Sequence, residues 1–152
     1  MKPTPDNFPR LTSGIVYQDA AGAIDWLCDA FGFEVRLKVE GESGQIIHSE
    51  LTYGDGVIMV SQERKESPDR PWRLKMRSPK SVGGANTQSL MLHVDDVKAH
   101  CEHARSRGAV IIDEIQTHDY GEGYWADLSY GAEDLEGHQW WITQRLRSPG
   151  QK

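Results

Sequence analysis

The sequence predicts an α+β fold in which one supersecondary unit is written twice, each copy running strand, helix and three further strands. Three observations carry the prediction. One segment has the apolar stripe of an amphipathic helix, and several short strand-like runs are divided by glycine-rich turns. A spacing of 13 residues between a helix-capping aspartate and a helix-ending glycine also recurs 76 positions later.

The first unit opens with Leu11–Gln18, a strand-like run containing Ile15 and Val16. Asp19 is an N-cap, and Ala20, Ala23, Ile24, Leu27, Cys28 and Phe31 then make one helical stripe that Gly32 can close in the left-handed conformation. Three strands follow, over Phe33–Glu40, Gln45–Tyr53 and Val57–Ser61, separated by Gly41–Gly44 and by Gly54-Asp55-Gly56, whose Asp-Gly suits a tight hairpin. In the second unit Ser89–Val94 is a strand, Asp95 or Asp96 caps a helix over Val97–Arg107, and Gly108 ends it before a strand at Ala109–Ile112. The last strands lie within Tyr124–Tyr130 and His138–Gln144, with Asp134-Leu135-Glu136-Gly137 as the turn between them. This second helix is less regular, because His100 and His103 stand where the first has Ile24 and Leu27.

The units are expected over residues 8–62 and 87–146 of a single domain that takes in all of 1–152, with a connection at 63–86. That connection is rich in Pro, Gly and Ser and carries seven basic and three acidic residues in a chain whose formal net charge is −6. Two readings of it stand side by side: an arm or lid over a site, or a solvated linker. An acidic chain lacks the basic excess that drives phosphate-backbone binding, so no nucleic-acid partner is expected. No apolar run reaches the roughly 20 residues that span a bilayer, and MKPTPDNFPR has no apolar leader, so no membrane partner and a cytoplasmic location are expected. Cys28 and Cys101 lack metal or redox spacing and read as reduced packing residues. No nucleophile elbow, P-loop or dinucleotide fingerprint is present in the sequence.

The strings AIDWLCDAFGFEV, HSELTYGDGVIMV, GGANTQSLMLHVDDVKAH and YWADLSYGAEDLEGHQWWITQR resemble the glyoxalase/bleomycin-resistance/extradiol-dioxygenase superfamily, also called vicinal oxygen chelate. The resemblance runs from about Leu11 to Arg145. Two positions depart from it: Leu135 stands where relatives usually have Pro in the last hairpin, and Leu128 where the nearest have Arg. The resemblance implies paired βαβββ modules whose curved mixed sheets form a cup around one ligand, often in a homodimer. It also implies a metal held by His or Glu side chains from the first and last strand of each module. Carried onto this chain, those positions fall near Thr12, Met59, Ser89 and Trp141, and within two residues of each there is no His, Glu, Asp or Cys. Hydroxyl, thioether and indole groups are poor ligands for such metals, so no metal and no cofactor are expected.

What remains at the inferred site is apolar and aromatic. Met59, Met91 and Trp141 share inward parity, Ser61, Ser89 and His93 stand beside them, and Tyr124 and Trp125 lie on a neighbouring segment. These eight are the expected contacts for a small-molecule ligand, most simply a flat organic compound bound without chemistry. The alternative is a lyase, isomerase or dioxygenase using a non-standard site around His48 and His93. Against both stands the plainer reading of these residues as core packing and hydrogen-bonded strand histidines.

Overall fold

The protein is described here by a computed structural model covering residues 1–4 and 8–150. The chain divides into two compact units, Met1–Gly83 and Gly84–Lys152. The first contains β1 (Ser13–Tyr17), α1 (Ala20–Phe31), β2 (Glu34–Glu40), β3 (Ile46–Tyr53) and β4 (Gly56–Gln62), in a sheet ordered β1-β4-β3-β2. The second contains β5 (Ser89–His93), α2 (Val97–Ser106), β6 (Val110–Asp119), β7 (Ala126–Glu133) and β8 (Gln139–Arg147), ordered β5-β8-β7-β6. Each sheet is mixed: its first strand pairs in parallel with its last, and the remaining neighbours are antiparallel. A helical crossover is what a parallel pair requires, and short turns suffice for the rest. The α+β fold of repeated strand-helix-strand-strand-strand units is therefore present.

In the first unit the apolar stripe of α1 buries Ala20, Ala23, Ile24, Leu27 and Phe31 against the sheet residues Ile15, Tyr17, Leu51, Ile58 and Val60. Asp19 accepts a hydrogen bond from the Gly22 amide at 3.0 Å, and Gly32 closes the helix at φ +81°. In the second unit the capping residue is Asp96, whose carboxylate accepts from the Lys98 and Ala99 amides at 3.1 and 3.0 Å. The helix stops at Ser106, with Arg107 as its C-cap and Gly108 in the left-handed region just beyond. Only Val97, Cys101 and Ala104 of α2 are buried. At His100 the contact is polar: Nδ1 lies 2.7 Å from the hydroxyl of Tyr130, which is fully buried.

One strand exceeds its expectation. β6 continues past Ile112 to Asp119 and pairs with β7 along that length. The added stretch, DEIQTHD, is polar because β6 is an edge strand with solvent on one face, so its sequence reads like a loop. Both sheets carry a bulge at the corresponding place, between Val35 and Leu37 and between Ile111 and Asp113, again 76 residues apart. A bulge bends and twists the strand that bears it. The repeat therefore extends to the feature that curves each sheet.

Candidate functional site

With α1 occupying one face of the first sheet, period-two alternation turns Gly14 and Val16 of β1 and Met59 and Ser61 of β4 to the other. The register pairs Gly14 with Met59 and Val16 with Ser61, so these four form one contiguous patch. His48 and Ile46 on β3 flank it, and the patch is the floor of a cavity of about 230 Å³. A Cβ at Gly14 would meet no heavy atom within 4 Å, so that position leaves the floor open.

The roof comes from the segment after β4. Trp72 and Arg73 lie on a single 3-10 turn over Pro71–Lys75, and with Met76 and Arg64 they line the same cavity. Glu63 fixes this arm. Its carboxylate accepts from the Ser78 amide at 2.9 Å and from the Ser81 hydroxyl at 2.6 Å, and it meets Arg77 Nε at 2.7 Å. The Gln18 amide donates to Ser81 Oγ at 2.6 Å, tying the far end of the arm back to β1. Burial pushes the Glu63 carboxyl up, but the hydrogen bonds from Ser81 and Ser78 and the charge of Arg77 outweigh it and hold it below its ordinary value.

Of the residues anticipated from sequence, Met59 and Ser61 lie together in this cavity, with His48 beside them. His48 is engaged: its Nε2 is 3.1 Å from Glu50 Oε1, and the other oxygen of Glu50 faces Arg36 at 3.7 Å. Ser89, Met91 and His93 lie on one face of β5, and Met91 pairs in register with Trp141 of β8. All three β5 residues are exposed, Met91 by 66%. The Trp141 ring lies close over Gly131, where a Cβ would come within 3.2 Å of it. His93 and Arg145 line a separate hollow of about 270 Å³. Tyr124 and Trp125 belong to the β6–β7 connection, where Trp125 packs against Tyr120 at 4.6 Å between centroids and Arg145 sits 6.0 Å from its ring.

The arm residues Trp72, Arg73 and Met76 were not anticipated as lining residues. The available signal was an aromatic and a thioether set among basic residues in PWRLKM. Without periodicity, nothing local says which surface such a segment covers.

The residues at the inferred metal positions do not suit a metal. Met59 offers a thioether and Ser89 a hydroxyl, Trp141 offers no lone-pair donor, and among the described residues no three His, Cys, Asp or Glu side chains gather where an ion could be held.

The profile of the Glyoxalase/Bleomycin resistance protein/Dioxygenase superfamily matches residues 9–142. The chain belongs to this superfamily. The uncharacterized protein Mb0911c of Mycobacterium bovis is 28% identical over 139 residues, covering 91% of this chain and 85% of its own. Among solved structures, TioX from Micromonospora sp. ML1 is 27% identical with a TM-score of 0.65, covering 90% of this chain and 95% of its own. TnmS3, an antibiotic binding protein from Streptomyces sp. CB03234, shares the fold at 20% identity and a TM-score of 0.57, covering 88% and 93%.

Proposed function

We propose that this superfamily member binds a small, flat, largely apolar compound on its first sheet and does so without a coordinated metal. The observation that carries the reading is the cavity itself: Met59 and Ser61, both among the contacts expected from the sequence, form its floor beneath an arm held by Glu63. Ligand cavities are mostly apolar with a few polar groups, and here Ser61 and His48 are the polar groups beside Met59, Val16 and Trp72. At about 230 Å³ the space holds a compound of one or two rings, since each displaced water accounts for about 30 Å³. TnmS3, which shares the fold, is an antibiotic binding protein.

The test is a thermal-shift and calorimetric screen with planar aromatic compounds. A ligand present at about 100 times its Kd stabilises the folded chain by about 2.7 kcal/mol, a shift of several degrees. Met59→Trp and Gly14→Leu fill the floor from two strands, and both are expected to abolish saturable binding while retaining the fold by circular dichroism. A panel without a saturable binder, or a binder indifferent to both variants, overturns the proposal.

A further inference from the structure

The cavity's lining departs from an ordinary apolar pocket in its charge. Arg64 and Arg73 both line it and both are only half exposed. Among the described residues no carboxylate lies within ion-pair distance of either, nor of Arg70 nearby. Two carboxylates beside the cavity are already committed: Glu63 to Arg77, Ser78 and Ser81, and Glu50 to His48 and Arg36. An arginine that lines a cavity without a carboxylate partner leaves its guanidinium donors open to an oxyanion of a ligand. The guanidinium of Arg73 does lie over the Trp72 ring, 5.5 Å from its centroid, which orients it without neutralising it. Burial, together with the charges of Arg64 and Arg70, pulls the Arg73 pKa below its usual value. These cations repel one another on a chain whose formal net charge is −6.

We propose that the compound bound on the first sheet is a planar aromatic anion, its carboxylate, sulfonate or phosphate group received by the guanidinium groups of Arg64 and Arg73 while its ring system lies against Trp72 and Met59. The inference rests on the reading of the cavity as a binding site and adds the ligand's charge to it. A guanidinium presents donors in a planar fork that matches such oxyanions. An anion between the two arginines would replace their mutual repulsion with charge-assisted hydrogen bonds. A cationic compound would meet uncompensated like charge at the same place, so the site discriminates by sign as well as by shape. A solvated basic face would need neither the apolar floor nor the aromatic roof that these two side chains border.

Two fluorescent probes with the same two-ring body separate the terms: naphthalene-2-sulfonate, and the neutral 2-naphthol, which carries a hydroxyl in place of the sulfonate. At low ionic strength the full-length protein is expected to bind the sulfonate about tenfold tighter or more, the order of one charge-assisted contact, with the advantage shrinking as salt is added. Arg64→Gln and Arg73→Gln should each weaken the sulfonate severalfold and leave the neutral probe unchanged, while Met59→Trp removes both. Equal affinity for the two probes, or indifference of the sulfonate to both arginine variants, with Met59→Trp still abolishing binding, overturns the anion assignment and leaves the binding site standing. Binding of both probes that survives Met59→Trp overturns the cavity itself.

Discussion

The two units share element order, strand order, a bulge at the same repeat position and an aspartate cap, and in the first a cavity lies between the sheet face and the segment that follows β4. In the first, β1 and β4 offer Gly14, Val16, Met59 and Ser61, and an arm anchored on Glu63 covers them. The equivalent strands of the second, β5 and β8, offer Ser89, Met91, His93 and Trp141, and Met91 there remains 66% exposed. In both units the sheet supplies a face, and in the first the cavity is completed by what is added to it. In this chain the addition is a basic segment outside the repeat, and it brings both the aromatic surface and the charge.

The helices differ as well, and this difference gives the largest expected effect. Ile24 and His100 occupy the same repeat position, but Ile24 is fully buried against the sheet whereas His100 meets the Tyr130 hydroxyl. Ile24→Ala should cost about 2–5 kcal/mol, the range for emptying a packed core position. His100→Ala should cost about 1–3 kcal/mol, because it strands a buried hydroxyl. Replacing both polar partners, His100→Leu with Tyr130→Phe, should recover most of that loss. Native-state hydrogen exchange of the α1 and α2 amides reads the two units separately. A His100→Ala loss equal to that of Ile24→Ala would show that the second helix depends on packing as the first does.

Glu63→Gln acts on the feature that sets the units apart. Three contacts converge on that carboxylate, and hydrogen bonds to charged groups contribute about 1.5–3 kcal/mol each when well formed. Glutamine keeps one acceptor oxygen and loses the pairing with Arg77, so a local loss of about 1–2 kcal/mol is expected. It should appear as faster exchange at Ser78 and Ser81 and weaker ligand binding, with β7 and β8 undisturbed. The pH dependence has a definite sign. Because the folded-state value lies below the ordinary 4.5, the contribution of Glu63 is fully present above about pH 4.5 and is lost as pH falls through the lower folded value. Arm protection that stayed constant from pH 6 down to about pH 3 would remove Glu63 from its anchoring role.

Much of the fold was legible because its signals are local. The α1 stripe, the left-handed Gly32 and the apolar run of β4 each lie within a dozen residues, whereas Met59 follows from the positions that the family resemblance implies, with Ser61 beside it. Two features were not legible, for different reasons. The far half of β6 is an edge strand whose polar residues, from Asp113 to Asp119, carry no buried alternation. The arm's position depends on contacts from Glu63 to Ser78 and Ser81 and from Gln18 to Ser81, the last spanning 63 residues. A carboxylate that accepts three partners looks, in sequence, like any surface glutamate. His48 was visible as a mid-strand histidine, but its engagement with Glu50 follows from side-chain reach across two residues of one strand.

The smallest expected effect lies at the caps. Asp19 accepts from the Gly22 amide, whereas Asp96 accepts from both Lys98 and Ala99. Alanine at either cap should cost about 0.5–2 kcal/mol, with Asp96→Ala toward the upper end because two amides lose their acceptor. Gly22 sharpens the contrast, since a Cβ there would fall 2.5 Å from Asp19 Oδ2. Gly22→Ala alone should therefore be close to neutral, its gain in helix propensity of up to about 1 kcal/mol offset by displacement of the cap. In an Asp19→Ala background no carboxylate remains to be displaced, and the same substitution should stabilise α1 by up to about 1 kcal/mol. A double-mutant cycle on urea unfolding measures that coupling directly. If Gly22→Ala stabilises the chain equally with and without Asp19, the carboxylate contributes nothing to holding α1, and the two helices begin in different ways.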